Sequence, residues 1–116
     1  MNNFLTSEQL QVHWESTDFV LKTQRQIVKD FYTSGLFFDP SFESEEHAIS
    51  EIVNQIQSHV ESIMKYGESQ FLQLLYQIDI PQNEFLEMIT QPNFIENISK
   101  LILQREAFKV YLRSKL

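Results

Sequence analysis

The stretch Ser44-Glu-Glu-His-Ala-Ile-Ser-Glu-Ile-Val-Asn-Gln-Ile-Gln-Ser-His-Val-Glu-Ser-Ile-Met-Lys-Tyr-Gly67 decides the fold of this chain. Ile49, Ile52, Val53, Ile56, Val60, Ile63 and Met64 recur every three or four residues, while Gln55, Gln57, Ser58 and Glu61 fill the opposite side. That period belongs to an amphipathic α-helix with one buried stripe. Ser44 offers a capping side chain, Glu45 and Glu46 follow where the helix dipole favours negative charge, and Gly67 stops the run. The spacing predicts a helix over 44–66.

The same reading extends outward. The strong backbone breakers Gly35, Pro40, Gly67, Pro81 and Pro92 all fall between helix-period stretches and never inside one. In a helix interior glycine costs roughly 1 kcal/mol and proline about 3 kcal/mol relative to alanine, so these residues mark joints. Downstream, Phe71, Leu72, Leu74, Leu75 and Ile78 surround most of a short helix over 68–79, the pattern of an element buried on several sides and the expected centre of the core. Pro81, with Asp79 as cap, opens a helix over 81–90 whose apolar side is Phe85, Leu86 and Ile89. Pro92 opens the last helix, over 92–115. Phe94, Ile95, Ile98, Leu101 and Ile102 form its stripe, yet Arg105, Lys109 and Arg113 continue that same face, while Leu103, Ala107, Val110 and Tyr111 lie roughly opposite. Either the helix bends near Gln104 or it buries a second face against something beyond the core.

Upstream, Thr6 and Gln9 have the spacing of a capping box. Leu10, Trp14, Val20, Leu21, Ile27, Val28 and Phe31 then carry a helical stripe over 6–34 that Gly35 ends; Ser16-Thr17-Asp18 offers a restart that would divide it in two. Leu36-Phe-Phe-Asp-Pro-Ser-Phe42 is an apolar connection, expected either to tuck against the helices or to expose Phe37, Phe38 and Phe42 as an aromatic docking patch. The architecture expected is an all-α irregular bundle of about five helices in one domain over 1–116.

With 116 residues, 42% of them apolar and ten of them Phe, the chain has enough apolar surface to offset the entropy of folding. The absence of cysteine excludes disulfides and thiolate metal sites. Met1-Asn-Asn-Phe-Leu-Thr6 has no basic leader, and no stretch approaches the roughly 20 apolar residues of a membrane span, so the expectation is a cytoplasmic protein without a membrane partner. The net charge of −7 is unevenly spread: residues 39–99 hold eleven acidic residues against Lys65 alone, whereas from Lys100 onward five cations face only Glu106.

Chemistry-bearing motifs are scarce. Leu75-x-x-Ile78-Asp79-Ile80-Pro81-x-x-x-Phe85-x-x-Met88 resembles helix-turn-helix spacing, with Asp79 where that class often has glycine. Its second helix offers Gln82, Asn83, Glu84, Glu87, Thr90 and Gln91 and no cation, and a surface of that kind repels phosphates. His13, His47 and His59 lack metal-ligand spacing and no Glu-x-x-His motif exists, which disfavours a metal-dependent helical enzyme. No nucleophile motif or phosphate loop appears, so no catalytic, cofactor-binding or metal residue is assigned. Asn97-Ile-Ser99 matches the glycosylation triplet but falls within a helix. Arg105, Lys109 and Arg113 suit the negative end of a helix dipole or internal pairing with the acidic middle.

The composite points to a non-catalytic interaction or regulatory protein: an adaptor, inhibitor or small subunit. Its acidic middle would face a basic protein partner, or its C-terminal helix would supply a homodimer face. The candidate surface is Phe37, Phe38, Phe42, Leu103, Arg105, Lys109, Val110, Tyr111 and Arg113. The alternative is a helix-turn-helix DNA-binding regulator or antitoxin-like protein using residues 68–91.

Overall fold

A computed structural model describes residues 3–115. Among them are seven helices and no strand: α1 Ser7–His13, α2 Thr17–Tyr32, α3 Ser41–Ser44, α4 Ile49–Tyr66, α5 Glu68–Ile78, α6 Gln82–Met88 and α7 Phe94–Ser114. The all-α class holds, and the two helices beyond the expected five both arise at breaks that side chains enforce.

The first break divides 6–34. Thr6 Oγ1 accepts from Gln9 N–H at 3.2 Å while Thr6 N–H donates to Gln9 Oε1 at 2.9 Å, the expected capping box. The helix nevertheless stops at His13, because Trp14 turns its indole away to donate Nε1–H to the carbonyl of His47 at 2.9 Å. Ser16 then caps α2 by accepting from Phe19 N–H at 3.3 Å. At the far end Gly35 adopts φ 78°, and Leu36 N–H reaches back to the Phe31 carbonyl at 3.1 Å. That is the left-handed C-terminal cap expected of it.

The second break shortens 44–66 to α4. The cause is Gln24 on α2, whose side chain is fully buried. Its Nε2 donates to the carbonyls of Phe42 at 2.6 Å and Glu45 at 2.8 Å, and its Oε1 accepts from His47 N–H at 2.9 Å. One amide thereby satisfies three backbone groups of an extended stretch. Ser44 ends the short α3 rather than capping a long helix, and Ala48 precedes α4, its N–H bonded to Glu51 Oε1 at 3.4 Å. The apolar connection folds in through α3: Phe42 is buried, with Phe38 stacked on it at 4.5 Å.

Asp79 also departs from its expected role. It sits in the left-handed region at φ 67° and caps the end of α5, with Ile80 N–H bonded to the Leu75 carbonyl at 3.0 Å. Pro81 alone precedes α6. That short helix buries no residue fully, and it leans on the core through Phe85, which meets Phe71 and Phe94 at 5.8 and 5.9 Å.

α7 is the axis of the molecule, packing against α1, α2, α4, α5 and α6. It neither breaks near Gln104 nor leaves the core. Ile98, Ile102, Leu103 and Ala107 are each 0% exposed, so the helix is enclosed on nearly every side. The core centre is therefore shared by α7 and α4, with α5 contributing Phe71, Leu74, Leu75 and Ile78 to the same cluster.

Candidate functional site

The cations that continue the α7 stripe meet the end of α5. A helix terminus leaves carbonyls without intrahelical donors. Arg105 Nε donates to the Ile78 carbonyl at 3.3 Å and Lys109 Nζ to the Gln77 carbonyl at 3.1 Å, so two cations answer the negative end of α5. Arg105 also reaches the Asn3 carbonyl at 2.7 Å and lies 3.6 Å from the Asp79 carboxylate. The apparent change of face at Gln104 is the point where apolar neighbours give way to the polar end of a helix.

Lys109 continues inward to a buried acidic pair. Its Nζ lies 2.8 Å from Asp30 Oδ2 and 3.4 Å from Glu106 Oε1, and these carboxyls are 2% and 0% exposed. Burial pushes Glu106 well above the usual carboxylate range, and the neighbouring Asp30 charge adds to that effect. Burial alone would raise Asp30 too, but hydrogen bonds from Glu106, Lys109 and Gln26 outweigh it and hold Asp30 below its usual value. These opposite directions favour the proton on Glu106 over Asp30, beside the single ammonium of Lys109.

From this pair a polar relay runs outward. Gln26, also buried, donates Nε2 to Asp30 Oδ2 at 3.0 Å, which turns its Oε1 toward Arg113; Arg113 Nη2 donates to that oxygen. Arg113 is thus fixed from behind at the edge of an open cleft of about 520 Å³ between α2 and the end of α7. Lys22, Arg25 and Lys29 line the α2 wall, and Phe19 and Val110 lie at its apolar base with His13 beside them. Lys22 pairs with Asp18 at 3.1 Å; Arg25 and Lys29 have no ion pair among the described residues.

The opposite charge gathers elsewhere. Glu61, Glu68, Glu84 and Glu87, on α4 to α6, form no ion pair among the described residues. The same elements, with Ile89 directly after α6, expose Met64, Tyr66, Leu72, Tyr76, Leu86 and Ile89.

The residues singled out from sequence scatter. Phe42 is buried, Phe38 half-buried, and Phe37 exposed with its ring edge-on to Tyr32 at 5.4 Å. Arg105, Lys109 and Arg113 are engaged internally. Leu103 and Val110 are 0% and 5% exposed, and Tyr111 is half-buried with its ring 5.4 Å from that of His13. Of the three residues expected to form a homodimer face, Leu103 and Val110 are thus enclosed within the chain and Tyr111 is partly covered. Residues 68–91 form the pair α5 and α6, whose second helix presents Gln82, Asn83 and Glu87 to solvent and carries no cation.

Asp30, Glu106, Gln24 and Gln26 were not legible as a set, since each looks like an ordinary polar residue of an amphipathic helix. The cleft cations Lys22, Arg25 and Lys29 did leave a signal, their spacing of three and four residues on one face of α2.

Among the described residues no cluster suits a metal ion and no helix is long and apolar enough to cross a membrane. The chain matches no protein-family model, no curated protein and no solved structure.

Proposed function

We propose that this is a non-catalytic interaction protein whose α4–α6 region receives a basic, amphipathic protein segment. The observation that carries the reading is a coincidence on those elements: large apolar side chains exposed on the same helices as carboxylates that form no ion pair among the described residues. Exposed apolar surface marks docking sites, and unpaired charge of one sign selects a partner of the other and speeds its approach. Leu72, Tyr76, Leu86 and Ile89 supply contact area; Glu68, Glu84 and Glu87 supply orientation.

The test is binding of a fluorescent amphipathic helical peptide with lysines along its polar face, beside the same peptide with glutamates in their place. The lysine peptide should bind and weaken as salt rises. Glu84→Lys/Glu87→Lys should weaken it about tenfold, the order expected for removing and reversing charges at an interface. Equal affinity for both peptides, or indifference to salt, would remove the electrostatic basis of the proposal.

A further inference from the structure

We infer that the cleft between α2 and the end of α7 is a binding site for a small molecule carrying two or more linked phosphate groups. This inference is independent of the acidic α4–α6 region and rests on four features of the cleft.

The charge there is dense and largely uncompensated. Lys22, Arg25, Lys29 and Arg113 converge on one concavity against a single lining carboxylate, Asp18, which Lys22 already engages. Arg25 and Lys29 stand one helical turn apart, an arrangement that costs a helix a few tenths of a kcal/mol through like-charge repulsion. In a chain of net charge −7 with many free glutamates, these two cations still find no carboxylate partner among the described residues. A polyanion would convert that repulsion into attraction.

Arg113 is held in advance. Gln26 can accept from it because the same amide's nitrogen is committed to Asp30, and Asp30 is committed to Lys109. A guanidinium positioned by a buried relay loses little freedom on meeting an oxyanion, and its planar fork matches two phosphate oxygens.

The dimensions favour a compact ligand. A volume of about 520 Å³ is that of a small-molecule site. Lys22 to Lys29 spans about 10 Å along the helix, at 1.5 Å per residue. That is too long for one phosphate, and it accommodates only about three residues of an extended acidic peptide. A protein interface needs about 20–30 residues on each side, so an acidic segment would gain little here.

The cleft also has an apolar base. Phe19 and Val110 lie beneath the cations, and the His13 ring stacks on Phe19 at 4.8 Å. A ring attached to the phosphates would find a surface there.

The experiment is calorimetric titration of the full chain, at about 50 mM salt and without divalent metal, with inorganic tripolyphosphate, a nucleoside triphosphate, the parent nucleoside and hexaglutamate. Saturable binding of both phosphate compounds at Kd on the order of 10–100 µM is expected, with no binding by the nucleoside. Tighter binding of the nucleotide than of tripolyphosphate would place the ring on the Phe19 base; equal binding would assign recognition to the phosphates alone, and either supports the site. Arg25→Glu/Lys29→Glu should lose about tenfold or more in affinity. Both residues are exposed, and Lys29→Ala, expected to lose about threefold, guards against a folding defect in the double variant. The inference is overturned if hexaglutamate binds as tightly as tripolyphosphate, if neither phosphate compound binds saturably, or if the variants bind like the parent chain.

Discussion

Glu106 shows how one side chain can be polar in sequence and uncharged in the fold. It lies in the second half of α7, flanked by Arg105 and Ala107, and helix periodicity alone permits it to be solvated. Full burial and the adjacent Asp30 charge raise its pKa well above the usual 4.5. A group whose pKa is raised on folding stabilises fully below its unfolded value, and that contribution is lost as pH climbs toward the folded value. Asp30 runs the other way: its lowered pKa gives stability above the usual 3.8, lost as pH falls. The two windows separate, so of this pair only Glu106 contributes a slope above pH 4.5; His59, which burial lowers, contributes alike in parent and variant and cancels in the comparison. Glu106→Gln removes its titration while leaving an amide that can donate to Asp30. Relative to the parent, the variant should gain stability as pH rises above about 4.5, by up to about 1.4 kcal/mol per pH unit until the folded-state pKa is passed. Urea denaturation of both chains at several pH values reads this directly. A constant difference across that range would mean that Glu106 is ionised in the native protein.

At the scale of elements, the joints were legible where the backbone itself is unusual and illegible where a side chain made them. Gly67 ends α4 and begins α5 with no linker at all, at φ 137° and ψ 156°, a conformation essentially closed to residues with a Cβ. A Cβ there would stand 2.9 Å from Gln70 Oε1, but that is the free end of an exposed side chain that can move aside, so the cost lies in the backbone. Gly35, at φ 78°, has open space around the same position. Gly67→Ala should therefore cost about 2–3 kcal/mol and Gly35→Ala about 1–2 kcal/mol. Urea midpoints in the reverse order would show that the α4–α5 joint relaxes more readily than its geometry indicates. The division of 6–34 and the late start of α4 have a different origin. Trp14 and Gln24 hold backbone groups far along the chain, the first across 33 residues and the second across 18 to 23. Local propensity contains no trace of a bond at that separation, although Ser16 did advertise the restart it caps. The mixed faces of α7 were readable as a pattern but not as a cause. Arg105 and Lys109 look like a solvated continuation until the end of α5 is placed beside them.

For the whole molecule, the central position of α7 governs how it should unfold. Of the other six helices five pack against it, and its buried residues join those of α2, α4 and α5 in one core cluster. A second, separable unit would need apolar contacts that do not pass through α7. The contacts that bypass α7, such as Phe38 on Phe31 and Phe42 or Phe71 on Phe85, involve residues in or packed against that same cluster and build no second core among the described residues. The single-domain expectation over 1–116 thus becomes a prediction about cooperativity: loss of any one side of α7 exposes the apolar surface of the others. The lone Trp is well placed to report it, since Trp14 sits where α1 meets the stretch before α4, its indole bonded to the His47 carbonyl. Trp fluorescence follows that corner, while far-UV circular dichroism averages over all the helices. With urea the two signals should give one midpoint, within about 0.1 M, and one slope, as a two-state transition requires. If fluorescence changes first, α1 and the Gln24-held stretch open as a local unit while α4, α5 and α7 remain packed. That outcome would defeat the one-domain reading and show that the three bonds from Gln24 set the stability of the corner independently of the core.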